Sequence, residues 1–326
     1  MNQATTASGR PNRATEGTAP RQKGRKQASG VPMAPAAPAA PIAPEIRAGQ
    51  SIELLKELHI LTRDGKLNQD SRRKLKQVYH LYQFIEKLLL ELPDGGAQAT
   101  LADHGAGKSY LGFILYDLFF KPPGSALAGR IFGIETRSEL VEQSQALAKR
   151  LGFDRMAFLN LTVAQSATAQ ALPVSIDIVT ALHACDTATD DALAFGLLKQ
   201  ARFMVLVPCC QAEVARVLSS HKALNLARTP LAELWRHPLH TREMGSQLTN
   251  VLRCLYLEAN GYQVTVTELV GWEHSLKNEL IIARRLENPS PAKKQAATDR
   301  LAALLAEFGL QELMQSRFGA RVPVVM

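Results

Sequence analysis

The stretch LADHGAGKSYLGF, Leu101 to Phe113, holds residue types that could bind a nucleotide-like ligand. Gly105, Gly107, Lys108 and Ser109 lie where an apolar run gives way to a helix-like one. Glycine at such a turn lets the backbone approach a ligand closely, because it lacks a Cβ and tolerates positive φ. The stretch therefore predicts a ligand site, and its neighbours indicate which ligand.

A phosphate-binding loop of a nucleoside triphosphatase is one interpretation. Its pattern, G-x-x-x-x-G-K-[ST], requires a glycine five residues before Gly107, and that position is Ala102. The pattern also needs an aspartate at the carboxyl end of a strand to help hold magnesium. Asp177 instead begins the fourth predicted strand, which ends in Thr180-Ala181-Leu182. The sequence therefore disfavours this class.

A dinucleotide-type turn accounts better for the same residues. Asp103-His104-Gly105-Ala106-Gly107 closes one predicted strand, and Glu135 in RIFGIETRSEL closes the next, where an acidic side chain can bind a ribose diol. The NAD fingerprint needs a third glycine at the position of Tyr110. The order D-x-G-x-G, helix, strand, acid therefore favours S-adenosylmethionine over NAD.

Candidates for acting on a substrate follow the fourth predicted strand, in LHACDTATD. His183 and Asp186 lie at its carboxyl end, where ligands of open parallel sheets bind, so either could move a substrate proton. Asp186 could equally cap the following helix, and His183 could be a loop histidine bonded through Nδ1. The pattern [DN]-P-P-[YF] of many nitrogen methyltransferases is absent here, which lowers support for amide and exocyclic-amine acceptors.

Two adjacent thiols, Cys209 and Cys210, directly follow the fifth predicted strand. RNA cytosine-5 methyltransferases keep a nucleophilic cysteine there, but they also have a Pro-Cys after strand four, which this sequence lacks. A metal site formed with His183 and Cys185 would have a spacing that matches no zinc pattern. We therefore expect thiols that line a cleft near the substrate, and no metal.

The segment WEHSLKNEL, residues 272–280, precedes the last predicted strand. His274, Lys277 and Asn278 in it could reach the acceptor. A polar turn of this kind needs no function, so both interpretations stay open.

Short apolar runs alternate with helical stretches from about residue 98, which is typical of a parallel sheet. Strands are predicted near 99–103, 130–134, 156–160, 176–181 and 202–207, and helices near 109–120, 137–151, 188–199 and 241–260. Tyr262–Gly271 and Asn278–Leu286 predict an antiparallel pair at one edge. The expected fold is α/β, a seven-stranded Rossmann-like sheet with a terminal antiparallel hairpin and N-terminal helices. Strands four and five are expected to flank strand one, bringing their loops beside Gly105.

Four segments are predicted along the chain. Residues 1–46 form an Ala/Pro-rich basic tail that is expected to be disordered, because it cannot bury enough apolar surface. Residues 47–95 form a helical segment, with Ser51 as an N-cap and a second helix over 71–92. Residues 96–288 form the main domain. Residues 289–326 form a helical appendage, with Ser290 as N-cap and Pro291 as the first helical residue.

Composition narrows the class of protein further. The chain has 326 residues, 46% of them hydrophobic, which suffices for a sizeable core. No apolar run approaches the roughly 18 residues of a membrane span, and the start lacks the core of a secretion signal, so a cytoplasmic protein is expected. The formal net charge is +8, of which +5 lies in residues 1–47. This tail and the basic cluster, defined as Arg72, Arg73, Lys74 and Lys76, favour RNA as a partner through counterion release.

The stretches ADHGAGKSYLGF, ALHACDTATDDAL, VPCCQAEV and EHSLKNELIIAR, in this order, closely resemble a class I S-adenosylmethionine-dependent methyltransferase domain family. The family occurs in bacterial and eukaryotic methyltransferase-like proteins and is related to tRNA ribose 2′-O-methyltransferases. The resemblance covers roughly residues 63–287. It implies a methyltransferase sheet and S-adenosylmethionine as the cofactor.

The resemblance also implies positions for cofactor contacts. It places Asp103, Gly105 and Gly107 around the methionine portion and Glu135 on the ribose hydroxyls. Such enzymes often carry an aspartate that faces the adenine amine, whereas FLNLTVAQ offers only Asn160 or Thr162. A neutral side chain accepts one hydrogen bond from that amine, so weaker cofactor affinity is expected.

The expected function is therefore that of an S-adenosylmethionine-dependent methyltransferase acting on RNA, either tRNA or rRNA. Methylation of a protein side chain or small molecule is one alternative. A binding module that keeps the fold but has lost catalysis is another, because the adenine carboxylate is missing.

Overall fold

The computed structural model describes residues 44–121, 127–182, 187–208, 211–220, 230–269, 279–314 and 317. Every described residue belongs to one compact unit within residues 41–326.

Helices and strands alternate along this unit. The helices are α1 (Ile52–Glu57), α2 (Gln69–Leu90), α3 (Tyr110–Leu115), α4 (Ser138–Leu151), α5 (Val163–Thr168), α6 (Thr187–Leu198), α7 (Glu213–Ser219), α8 (Pro238–Ala259), α9 (Pro291–Glu307) and α10 (Gln311–Met314). The strands are β1 (Thr100–His104), β2 (Arg130–Glu135), β3 (Met156–Asn160), β4 (Ile178–Leu182), β5 (Phe203–Val207), β6 (Tyr262–Glu268) and β7 (Glu279–Arg285). Short 3-10 helices cover Pro93–Gly96 and Pro230–Trp235.

The strands form one seven-stranded sheet in the order β3-β2-β1-β4-β5-β7-β6. The first five strands are parallel, and β7 runs antiparallel to both β5 and β6. The predicted α/β sheet with a terminal antiparallel hairpin is therefore confirmed. One expectation was wrong: β4 pairs with β1, but β5 pairs with β4 and β7 and does not touch β1. Because β2 occupies the other side of β1, β4 lies between β1 and β5, and β5 is one position further from Gly105 than expected.

Helices cover both faces of the sheet, as a parallel sheet requires. Successive side chains of a strand point to opposite faces. Leu101 of β1 accordingly packs among buried residues of α2, α3 and α4, whereas Ala102 packs among those of α6, α8 and α9. On the second face, Leu301 and Leu305 of α9 are buried in the same apolar cluster as Leu252 of α8.

Local sequence signals explain several helix boundaries. Ser51 and Ser290 accept hydrogen bonds from Leu54 N and Lys293 N, which confirms both as N-caps. The second helix begins at Gln69, two residues earlier than predicted, because Asn68 accepts from Ser71 N at 2.7 Å and caps it. The residues of one apolar stripe of this helix are buried: Leu75, Val78, Tyr82, Ile85 and Leu89.

Other features escaped prediction. The helix expected over 109–120 is α-helical only to Leu115 and continues as a π-helical turn over Tyr116–Phe120. Helices α5, α7 and α10 are too short for an apolar stripe to repeat, so periodicity does not detect them. None of the helices in the described parts of the chain combines the length and apolarity that a membrane crossing requires.

Candidate functional site

The turn between β1 and α3 is fastened to the end of β2. Gly105 and Gly107 have φ of +66° and +57°, a left-handed conformation that favours glycine. The amides of Gly105 and Ala106 donate to the carbonyl oxygen of Ile134 at 2.9 and 3.1 Å. The Gly107 amide donates to Glu135 Oε2 at 2.8 Å. These bonds tie the turn to β2.

These bonds argue directly against a phosphate-binding loop. Such a loop directs a series of backbone N–H groups at the phosphates. Here the amides of residues 105–107 donate within the protein, and the Ser109 amide donates to the Ala106 carbonyl at 2.7 Å. The Ser109 side chain is fully buried, with Oγ 3.4 Å from Asp103 Oδ2. Asp177 lies at the other end of β4, where its carboxylate accepts from Thr100.

Asp103 lies buried beneath the turn. Its Oδ1 accepts from Thr180 Oγ1 at 2.9 Å, and Ser109 Oγ approaches its other oxygen. Gly112 makes room for this serine, because a Cβ at Gly112 would lie 2.5 Å from Ser109 Oγ. Burial raises the pKa of Asp103 to about 6, although both hydroxyls oppose the rise. A carboxylate of this kind is suited to a cationic ligand group, which stabilises its ionised form.

Glu135 ends β2 with its carboxylate held from several sides. Oε1 accepts from the amides of Thr136 and Arg137 at 2.9 and 3.1 Å and from Arg137 Nε at 3.0 Å. Oε2 accepts from the Gly107 amide and from Arg137 Nη2 at 3.1 Å. Burial alone would raise the pKa of Glu135, but the bonds from Arg137 and Gly107 hold it at about 2. The carboxylate is thus ionised and pre-oriented, and ribose hydroxyls must share it with Arg137 or displace that side chain.

His104 is the last residue of β1, and the sequence indicated no role for it beyond its place in the turn. Its side chain is buried, and its ring packs against Phe195 of α6 with centroids 5.6 Å apart. Neither ring nitrogen has a hydrogen-bond partner in the described parts of the chain. Burial lowers the pKa of His104 to about 4, against the opposing charge of Glu135. The turn therefore includes a neutral, unpaired imidazole that no sequence pattern indicated.

The two candidates for the adenine end are Asn160, the last residue of β3, and Thr162 just after it. The amide of Asn160 donates to the Glu135 carbonyl at 3.1 Å, which ties the ends of β2 and β3 together. Thr162 is exposed and caps α5: its hydroxyl accepts from Gln165 N at 3.3 Å, and Gln165 Oε1 accepts from Thr162 N at 2.8 Å. The role of Thr162 at the adenine stays a prediction.

The predicted acceptor-side residues all lie outside the described residues, and their roles stay predictions. They are His183, Asp186, Cys209, Cys210, His274, Lys277 and Asn278, and Cys185 of the metal alternative lies outside as well. Leu182 and Val207, which end β4 and β5, are paired in the sheet. The segments that begin with His183 and Pro208 therefore leave neighbouring strand ends at the same edge.

A buried polar network centred on α8 was not predicted from the sequence. Three of its members follow these segments in the chain. Arg253 donates to Asp190 Oδ1 at 2.6 Å and to Asn250 Oδ1 at 3.1 Å. Asn250 also accepts from Gln211 at 2.8 Å and donates to Glu279 at 2.6 Å. Asp190, Gln211 and Glu279 follow the three undescribed segments 183–186, 209–210 and 270–278. The polar positions Ser246, Asn250 and Arg253 at helical spacing were the available signal.

The residues present fit S-adenosylmethionine. Left-handed glycines permit close backbone approach, Gly107 leaves space where a Cβ would meet only Arg137 Nη2 at 3.8 Å, and Glu135 is an ionised acceptor at the end of β2. Asp103 supplies negative charge beneath the same turn.

Comparisons with known proteins give a family match. Residues 73–217 match the model of a family described as a methyltransferase domain. No curated protein matches the sequence of the chain.

Solved structures with a similar fold are distant. Magnesium protoporphyrin IX methyltransferase from Synechocystis, with bound SAH, is 14% identical with a TM-score of 0.41, covering 72% of this chain and 93% of that one. A SAM dependent methyltransferase from Aquifex aeolicus is 14% identical with a TM-score of 0.37, covering 67% and 98%. An rRNA methylase from Streptococcus thermophilus is 9% identical with a TM-score of 0.38, covering 63% and 95%. Likeness at this level says nothing about the methyl acceptor.

Proposed function

We propose, from the premise that this chain carries a class I S-adenosylmethionine-dependent methyltransferase domain, that its methyl acceptor is RNA, either tRNA or rRNA. The observation that carries the proposal is the charge of the N-terminal segment. Residues 1–47 contain seven basic and two acidic residues and hold +5 of the formal net charge of +8. Such a segment binds a polyanion through counterion release without reading its sequence. A cytoplasmic location belongs to the proposal.

The cofactor, when bound, supplies an electrophilic methyl group on a positively charged sulfur. The protein contributes mainly alignment and removal of water, which account for most of the acceleration of such displacements. Asp103 places a buried negative charge beneath the turn, and Glu135 offers an acceptor that backbone amides hold in place. We assign His183 and Asp186 to the removal of the acceptor proton.

The remaining acceptor-side residues are proposed to line the acceptor. They are Cys209, Cys210, His274, Lys277 and Asn278. The segment with the two cysteines follows β5, and the segment with His274, Lys277 and Asn278 precedes β7. Both strands lie on the side of β4 away from β2. The acceptor is therefore expected over β4 and β5, and the cofactor over β1 and β2.

The basic cluster at the start of α2 supports RNA binding away from the reaction centre. Arg72 pairs with Glu45 at 2.8 Å and Arg73 with Asp70 at 3.9 Å. Exposed pairs of this kind are weak, so a phosphate can replace the carboxylates.

The position of the cluster follows from two contacts. Ser71 donates to the carbonyl of His59, just after α1, and Glu57 of α1 pairs with Arg150 in the last turn of α4. Glu135 precedes the first turn of this 14-residue helix, which is about 20 Å long. The cluster is therefore tied to the end of α4 opposite Glu135. It is assigned to docking RNA and not to catalysis.

Methyl transfer from S-adenosylmethionine with a tritiated methyl group tests the acceptor. The full chain is incubated with total RNA and, separately, with total protein, and each product is digested with nuclease or protease. We expect label that nuclease releases. Label found only in protein or small molecules would refute RNA as the acceptor. Binding of S-adenosylhomocysteine with no transfer to any fraction would instead identify a binding module.

A further inference from the structure

His104 is a buried polar side chain that the fold leaves unpaired. It is 6% exposed, and both Nδ1 and Nε2 lack a hydrogen-bond partner among the described residues. Buried polar groups are nearly always paired, because burial removes their bonds to water and leaves the loss uncompensated. Each unpaired buried group in a native protein therefore calls for a reason, and one such reason is a ligand.

The position of His104 brings it to the cofactor turn. It is the last residue of β1, and the carbonyl of its β2 partner, Ile134, accepts the amides of Gly105 and Ala106. Asp103 points to the opposite face of the strand and bonds Thr180. His104 lies on the α6 face, where its ring contacts Phe195. The carboxyl edge of β1 therefore presents a charged acceptor on one face and an imidazole on the other.

The charge state of this imidazole determines what it can bind. Burial lowers the pKa of His104 to about 4, so the ring is neutral at neutral pH, with one N–H donor and one nitrogen acceptor. The methionine portion of S-adenosylmethionine carries a positive ammonium group, and its sulfur is positive as well. A protonated ring would repel both groups, whereas a neutral ring accepts a hydrogen bond from the ammonium group.

We propose that the imidazole of His104 accepts a hydrogen bond from the ammonium group of the methionine portion of the bound cofactor. Binding then pairs a nitrogen that has no partner in the described parts of the free protein. The inference rests on the proposed function, since it requires the cofactor to occupy the turn of residues 103–107.

Calorimetry with two ligands and two variants tests this contact. S-adenosylhomocysteine carries the ammonium group, and 5′-methylthioadenosine lacks the whole amino-acid portion. His104→Phe keeps an aromatic ring but has no acceptor, and His104→Gln restores an acceptor oxygen. We expect His104→Phe to weaken S-adenosylhomocysteine roughly 10-fold or more and to leave 5′-methylthioadenosine within about 2-fold, as the loss of one bond to a charged group predicts. His104→Gln should recover part of the loss.

A spectroscopic measurement on the unaltered chain covers the case in which a variant fails to fold. With 15N-labelled histidine, the signal of the unprotonated His104 nitrogen should move when S-adenosylhomocysteine is added and stay in place when 5′-methylthioadenosine is added. Equal losses for both ligands in His104→Phe, or a nitrogen signal that ignores S-adenosylhomocysteine, would overturn the contact. Failure of the unaltered chain to bind S-adenosylhomocysteine would overturn the proposed function itself.

Discussion

Substitution of Glu135 by alanine should weaken cofactor binding strongly. The residue presents both carboxylate oxygens at the end of β2, held by the amides of Gly107, Thr136 and Arg137. Two ribose hydroxyls can donate to it, but they compete with Arg137 Nε and Nη2, which lie 3.0 and 3.1 Å from it. The net gain therefore corresponds to about one hydrogen bond to a charged group, or roughly 1.5–3 kcal/mol. This predicts a loss of roughly 10- to 150-fold in affinity.

Arg137→Ala is the matched control for this prediction. The Arg137 side chain is 59% exposed and bonds the same carboxylate, so its removal frees both oxygens for the ribose. We expect unchanged or several-fold tighter affinity. Glu135→Ala and Arg137→Ala thus break the same ion pair with opposite consequences for the ligand.

Calorimetric titration of S-adenosylhomocysteine into the three proteins measures both effects, with thermal unfolding as the check on folding. If Glu135→Ala binds as tightly as the unaltered chain, the ribose does not contact this carboxylate. If Arg137→Ala loses as much affinity as Glu135→Ala, the ion pair holds the site together and does not compete with the ligand.

Four further predictions address stability, pH, the tail and the acceptor side. Arg253→Met leaves the buried Asp190 carboxylate without its cation. We expect the free energy of unfolding to fall by about 3–5 kcal/mol and the melting temperature by roughly 6–20 °C. A decrease in melting temperature of less than about 2 °C in a scanning calorimeter would show that the pair contributes little. Asp103 has its pKa raised to about 6 and must be ionised to favour a cationic ligand. The affinity for S-adenosylmethionine should therefore fall as the pH drops below about 6, with a smaller fall for S-adenosylhomocysteine and none in Asp103→Asn. An identical pH profile for Asp103→Asn and the unaltered chain would exclude this group. Deletion of residues 1–46 should leave the melting temperature nearly unchanged. It should weaken RNA binding and make that binding depend less on salt. A large fall in melting temperature would show that the tail packs on the folded unit. His183→Ala and Asp186→Ala should reduce methyl transfer and keep cofactor affinity within a few-fold. Activity should survive in Cys209→Ser or Cys210→Ser. A trapped covalent RNA adduct in either serine variant, or one zinc per chain by elemental analysis, would contradict this assignment.

The parts of the site that depend on chain order were accessible from the sequence. Gly105 and Gly107 mark the turn because only glycine adopts its φ cheaply, and Glu135 is located by counting to the end of the next apolar run. The same reasoning placed the five parallel strands within two residues.

The parts that depend on long-range packing were not accessible. Arg253 and Asp190 are 63 residues apart, so no local pattern pairs them. His104 is an ordinary polar residue in the sequence, and its unpaired state follows only from what α6 places over it. The position of β5 was misjudged because no local pattern specifies which strands become neighbours, and β2, not β5, takes the second side of β1.

A structure of the full chain in complex with S-adenosylhomocysteine would locate the ligand relative to Glu135. We expect the ribose hydroxyls to lie within about 3.2 Å of the Glu135 carboxylate oxygens, with the methionine portion over the turn of residues 103–107. A ligand bound elsewhere, or a ribose without contact to Glu135, would contradict this expectation.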